Sequence, residues 1–169
     1  MIRPMVLAAL LVATPAMAGV HPAEVEARLG VLVGDWTVVG RETTYRDTCE
    51  WFGDRSFVIC TTQNSANSSL DQAIVGYSKE DGHYTYYSFG KGGESNARIG
   101  FPSGERGLVL TTERRLPAGM TRITTLLEPQ ADGRLRIREE RSVDGGPWST
   151  TAEIFYVARR GDPAVLSQQ

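Results

Sequence analysis

The stretch Arg134-Leu135-Arg136-Ile137-Arg138-Glu139-Glu140-Arg141 decides how this chain folds. Leu135, Ile137 and Glu139 alternate with Arg134, Arg136, Arg138 and Glu140, and a period of two residues belongs to a strand with one buried and one wet face. The arginine face must be the wet one, which turns Leu135, Ile137 and Glu139 inward. The same reading carries backward along the chain. In the preceding run Ile123, Thr125 and Leu127 point inward and Arg122 and Thr124 outward; earlier, Leu108 and Leu110 face in, as do Ala97, Ile99 and Phe101.

From Trp36 onward the sequence consists of short runs rich in Val, Ile, Thr and aromatics, separated by Gly, Asp, Asn and Pro. Strands are predicted at 35–41, 43–52, 57–63, 71–78, 83–90, 96–101, 107–114, 120–128, 134–141 and 148–159. The connections carry turn chemistry, as in Lys79-Glu80-Asp81-Gly82, Ala131-Asp132-Gly133 and Asp144-Gly145-Gly146-Pro147. Short turns pair neighbours in chain order, and closing such a meander removes its two open edges. The expected fold is therefore all-β: an antiparallel up-and-down barrel of about ten strands with one short N-terminal helix. That helix begins near Pro22, with Val25, Leu29 and Leu32 on its apolar side and Glu24, Glu26 and Arg28 elsewhere. Runs 83–90 and 148–159 carry large side chains on both faces, so alternation assigns neither. The polar stretch 63–69 reads as a connection at one end of the barrel, a lid or a plain surface loop.

Cys49 and Cys60 are the only cysteines. Between them, Glu50-Trp51-Phe52 and Phe57-Val58-Ile59 flank the turn cluster Gly53-Asp54-Arg55-Ser56, a hairpin pattern that pairs Phe52 with Phe57, Trp51 with Val58 and Cys49 with Cys60. The two thiols then face each other across strands as a non-hydrogen-bonded pair, where side chains come closest. A disulfide is expected, contributing roughly 3 kcal/mol in the chain-entropy model. Redox catalysis would call for C-x-x-C spacing or a neighbouring histidine, and neither is present.

Residues 1–18 read as a secretory leader: Arg3 at the positive start, an apolar run from Met5 to Val12, and Ala16-Met17-Ala18 as a small-x-small cleavage site. Cleavage after Ala18 would leave a single domain over 19–169 in the periplasm or outside the cell. No later stretch approaches the roughly 20 apolar residues of a membrane helix, so no transmembrane anchor is expected. The formal net charge of −2 lacks the basic footprint that phosphate-backbone binding requires. Nucleic acid is not an expected partner.

At Leu29-Gly30-Val31-Leu32-Val33-Gly34-Asp35-Trp36 a short helix runs into a Gly-x-Trp at the first strand. Here the chain resembles the lipocalin-like, or calycin, superfamily. Within it, the chain is similar to a family of short exported bacterial proteins of unknown function with a Leu-x-Gly-x-Trp opening, an interior Gly76-Tyr77 and a closing Tyr156-Val157-Ala158-Arg159. The resemblance implies structural roles for Gly34, Trp36 and Arg159, with the arginine stacking on the tryptophan to close the barrel floor.

Function then depends on the barrel's surfaces. The leading expectation is an exported carrier or sensor for a small hydrophobic or amphipathic molecule, since barrels of this size hold one ligand in their mouth. Its candidate residues are Tyr77, Tyr86, Phe101, Ile123, Leu127, Glu139 and Trp148, each of which also suits a filled core. The alternative is an envelope structural or interaction protein with a filled barrel, using a basic outer stripe of Arg134, Arg136 and Arg138, extended by Arg98, Arg114, Arg115, Arg122 and Arg141. The third reading is a small-molecule isomerase or hydrolase, for which an inward Glu139 could supply a carboxylate of raised pKa, or else form an ion pair with an interior arginine. No serine nucleophile motif, paired carboxylates or histidine dyad is present, and no catalytic residue is assigned. His21 and His83 are the only histidines, too few with a disulfide for a closed zinc site. No metal or other cofactor is expected.

Overall fold

The computed structural model describes residues 22–159; the expected leader, residues 1–18, and His21 lie outside the described residues. Helix α1 (Pro22–Gly30) precedes β1 (Gly34–Val38), β2 (Tyr45–Phe52), β3 (Phe57–Asn64), β4 (Ser69–Ser78), β5 (His83–Gly90), β6 (Ser95–Ser103), β7 (Gly107–Leu116), β8 (Gly119–Pro129), β9 (Leu135–Val143) and β10 (Ser149–Ala158). Each strand pairs antiparallel with the next, and β10 closes on β1 through Trp36↔Ala158 and Val38↔Tyr156. All ten expected strands are present, and closure leaves no strand edge open among the described residues.

Pro22 occupies the start of α1, where a missing N–H costs nothing. Val25, Leu29 and Leu32 are buried as the periodicity predicts. Arg28 is buried with them, contrary to its assignment to the polar side: its guanidinium donates to the Gly104 and Gly107 carbonyls at 3.1 and 2.9 Å and pairs with Glu24 at 3.1 Å. A buried charge persists when paired and fully hydrogen-bonded. The helix is thereby latched across the β6–β7 turn and floors the barrel.

From α1 the chain turns into β1 at Gly34, whose φ of 143° suits only glycine. Trp36 is buried, and its indole N–H donates to the Leu32 carbonyl at 2.8 Å. The expected stack of Arg159 on Trp36 is replaced by another arrangement. Trp36 and its register partner Ala158 share the inner face, which turns Arg159, the next residue, outward to the Asp35 carboxylate at 3.7 Å.

The Cys49–Cys60 disulfide is present with the predicted register, Cys49↔Cys60, Trp51↔Val58 and Phe52↔Phe57. The bridge faces the interior. Residues 65–68 form a tight turn, held by side-chain oxygens: Asn64 Oδ1 accepts from the Ala66 N–H and Asn67 Oδ1 from the Ser69 N–H, both at 3.1 Å.

Parity holds on β7, β8 and β9 but is inverted on β6. Ile99 and Phe101 are exposed, as is Ala97, whereas Asn96, Arg98 and Gly100 turn inward. Gly100 sets this register: a Cβ there would lie 2.7 Å from Leu110 Cδ2 and 2.9 Å from Tyr84 Cβ, so the fully buried Tyr84 and Leu110 pack over a bare backbone. The outer faces of the two barrel halves differ accordingly. Over β3–β6 the cross-strand rows Ile59–Ile74–Tyr87–Ala97 and Gly76–Thr85–Ile99 present no Asp, Glu, Lys or Arg. Over β7–β10 the central arginines of the expected basic stripe are paired, Arg122 with Glu113, Arg134 with Asp132, Arg136 with Glu128 and Glu153, and Arg138 with Glu140, while Arg98 turns inward.

Candidate functional site

The interior is not filled. A cavity of about 1160 Å³ runs from the helix-capped floor to the turns at the opposite end. Its lining has three levels. Leu32, Trp36, Val75, Leu110, Leu127 and Leu135 make an apolar floor. Above it lies a polar belt of Tyr45, Asp47, Thr62, Tyr86, Arg98, Thr125, Glu139 and Tyr156. At the mouth stand Asn67 and Ser68 of the β3–β4 turn, Lys91 and Glu94 of the β5–β6 turn, Asp71 and Arg114. Among the described residues, the β3–β4 and β5–β6 connections at that end are tight turns.

The belt contains two polar clusters. One follows from the disulfide: Cys49 faces inward, so Asp47 and Tyr45, two and four residues before it on β2, share its face. Thr62, opposite Asp47 in the register, donates to Asp47 Oδ1 at 3.0 Å. The Tyr45 and Tyr156 hydroxyls meet at 2.5 Å. Burial raises the Asp47 pKa, and hydrogen bonds from Thr62 and Tyr156 offset this only in part. Burial likewise raises Tyr45 and Tyr156, whose phenols stay protonated as donors. Among the described residues, this cluster of hydroxyls around one acid contains no Lys, Arg or His side chain.

The second cluster carries charge. Arg98 donates to Thr125 Oγ1 and approaches Glu139 Oε2 at 3.5 Å, with its guanidinium carbon 5.8 Å from the Tyr86 ring centroid. Glu139 is held more closely by Arg141, at 2.9 and 3.2 Å, and by the Thr151 hydroxyl at 3.1 Å. Burial pushes the Glu139 pKa up, but hydrogen bonds from Arg141 and Thr151 and the charges of Arg141 and Arg98 outweigh it and hold the carboxyl below the ordinary range. Glu139 is thus an ion-paired carboxylate, contrary to the reading of a raised-pKa base. Arg98, expected outside, is its interior arginine.

Of the candidates from sequence, Tyr86, Leu127 and Glu139 line the cavity together. Tyr77 is core, edge-on to Tyr84 with ring centroids 5.1 Å apart. Ile123 is buried but outside the lining, Phe101 lies on the outer face near His83, and Trp148 is exposed before β10. Sequence reasoning missed Tyr45, Asp47, Arg98 and Tyr156. A signal existed for the first two, since a period of two counted back from an inward Cys49 reaches them both. Asp47, Cys49 and Cys60 cluster closely enough to suggest a metal site, but the sulfurs are bonded to each other and one carboxylate remains.

The chain matches no protein-family model and no curated protein sequence. Among the described residues, no helix is long and apolar enough to cross a membrane.

Proposed function

We propose that this protein is an exported, lipocalin-like binding protein, a carrier or sensor for one small amphipathic molecule. The observation that carries the reading is the graded lining of the cavity: an apolar floor, a polar belt above it and a mouth of polar and charged side chains. Concave, mostly apolar sites with a few convergent polar groups are what small-molecule binding uses. The volume of 1160 Å³ accommodates a ligand of drug size or somewhat larger. The leader sequence and an interior disulfide both fit a life outside the reducing cytoplasm. The opening motif through Trp36 and the strand order support kinship with lipocalin-like barrels, although the floor latch here is Arg28 rather than a Trp36–Arg159 stack.

Ala73 lines the cavity on β4, so Ala73→Trp would place an indole in it. A neutral solvatochromic dye such as Nile red should bind the wild-type chain saturably at one site, and Ala73→Trp should weaken that binding about tenfold or more by occupying the volume. Unsaturable dye uptake, or equal uptake by both proteins, would remove the cavity as the binding site.

A further inference from the structure

We propose that two copies of this chain associate through the outer face of strands β3–β6 as a symmetric dimer. The inference is independent of what the cavity holds. A closed sheet turns every second side chain outward, and a wall that faces water carries polar or charged residues there. Strands β7–β10 follow that rule; β3–β6 do not. Leu70, Ile74, Tyr87, Phe89, Ile99 and Phe101 point outward from β4, β5 and β6 and are 36–52% exposed.

The strand register makes these residues one surface. Ile74 and Tyr87 lie in a row with Ile59 and Ala97. Phe89 stands beside Gln72 on the mouth side of that row, and Ile99 beside Thr85 on the floor side. Phe101 continues toward the floor next to Val109 of β7. At the β3 border the Phe57 ring occupies the space that a Cβ on Gly76 would take, so it lies along the sheet rather than standing off it.

The area suits a second copy. Large apolar side chains present roughly 150–250 Å² each, so the six leave about 500 Å² of apolar surface in water. That is near the upper end of the largest patch on a typical monomer, about 300–600 Å². It is also about two-thirds of the roughly 800 Å² that each partner buries in a stable complex, and Gln63, Gln72 and Ala97 extend it within the same face. An aromatic-rich centre without charge is the composition of an interface core.

The charges around the face select against a charged partner. They begin at its flanks, with Arg46 and Glu50 on β2 and Glu113 and Arg115 on β7. Arg46 is tied to Asp35 and Glu113 to Arg122. At the ends, Lys79 is followed by Glu80 and Asp81, and Lys91 by Glu94. Both signs occur on every side, so the face has neither the basic collar that an anionic lipid surface attracts nor a field for a basic partner. A second copy presents the same uncharged surface, and a two-fold axis sets the face against itself without bringing like charges together inside it.

Sedimentation equilibrium of the purified protein in detergent-free buffer tests the proposal. The expected result is a closed monomer–dimer equilibrium with Kd in the micromolar range, about 1–10 μM. Tyr87→Glu and Ile99→Lys each set two equal charges into the interface and should raise Kd about tenfold or more, whereas Thr150→Lys on the charged half should leave it within about twofold. A monomer throughout at about 100 μM would overturn the proposal, whether or not the variants fold. So would a dimer that neither Tyr87→Glu nor Ile99→Lys weakens, open-ended association, or a monomer that instead sediments with phosphatidylcholine vesicles. None of these outcomes bears on Nile red uptake by the cavity.

Discussion

Asp47 and Glu139 are two carboxylates lining one cavity, and their surroundings drive them in opposite directions. Asp47 is enclosed by hydroxyls and burial raises its pKa; Glu139 is buried less and held by two guanidinium groups that lower it. The lesson is that burial alone does not make a site. The Asp47 cluster bonds its hydroxyls internally and sits beside a disulfide, which fits a scaffold role. The Glu139 cluster instead pairs its acid with two arginines, one inside the cavity and one at its exposed edge.

The largest effect should come from breaking the scaffold side. Replacing Cys49 and Cys60 together by serine removes the tie between the strands that carry Asp47 and Thr62, and should cost roughly 3 kcal/mol of stability, read by urea unfolding. The Arg98 side, on β6, should keep its pairing with Glu139 in the folded fraction. An equal loss of both would merge the two clusters into one unit.

A smaller effect separates the two acids by pH. Because the folded Asp47 pKa is raised, its contribution is fully present below the ordinary aspartate value of 3.8 and is lost as pH rises through the folded pKa. Glu139 is the reverse: its folded pKa is lowered, so its contribution is present above the ordinary glutamate value of 4.5 and is lost as pH falls through the folded pKa. Stability measured against pH in Asp47→Asn should therefore fall less steeply on the rising side than in wild type. In Glu139→Gln it should fall less steeply on the acid side. Parallel profiles for the two variants would contradict the contrast.

Much of the fold was legible because turn residues and strand periodicity agree along most of the chain. Leu135/Ile137, Ile123/Leu127 and Leu108/Leu110 all lie where alternation puts them, and Cys49 meets Cys60 where the turn length puts it. The candidate site was legible only in part, at Tyr86, Leu127 and Glu139. On β6 the rule that apolar residues face inward failed, because Arg98 lines the cavity and Ile99 and Phe101 belong to an uncharged outer face. Closure of the barrel, rather than any local pattern, carries β10 against β1 and so brings Tyr156 to Tyr45.

The central claim is that the barrel carries a small molecule in its cavity. Native mass spectrometry of the protein purified from the cells that produce it, compared with the same sample after denaturation, tests it most directly. The predicted result is a discrete extra mass lost on unfolding. A bare polypeptide mass across growth conditions would contradict it.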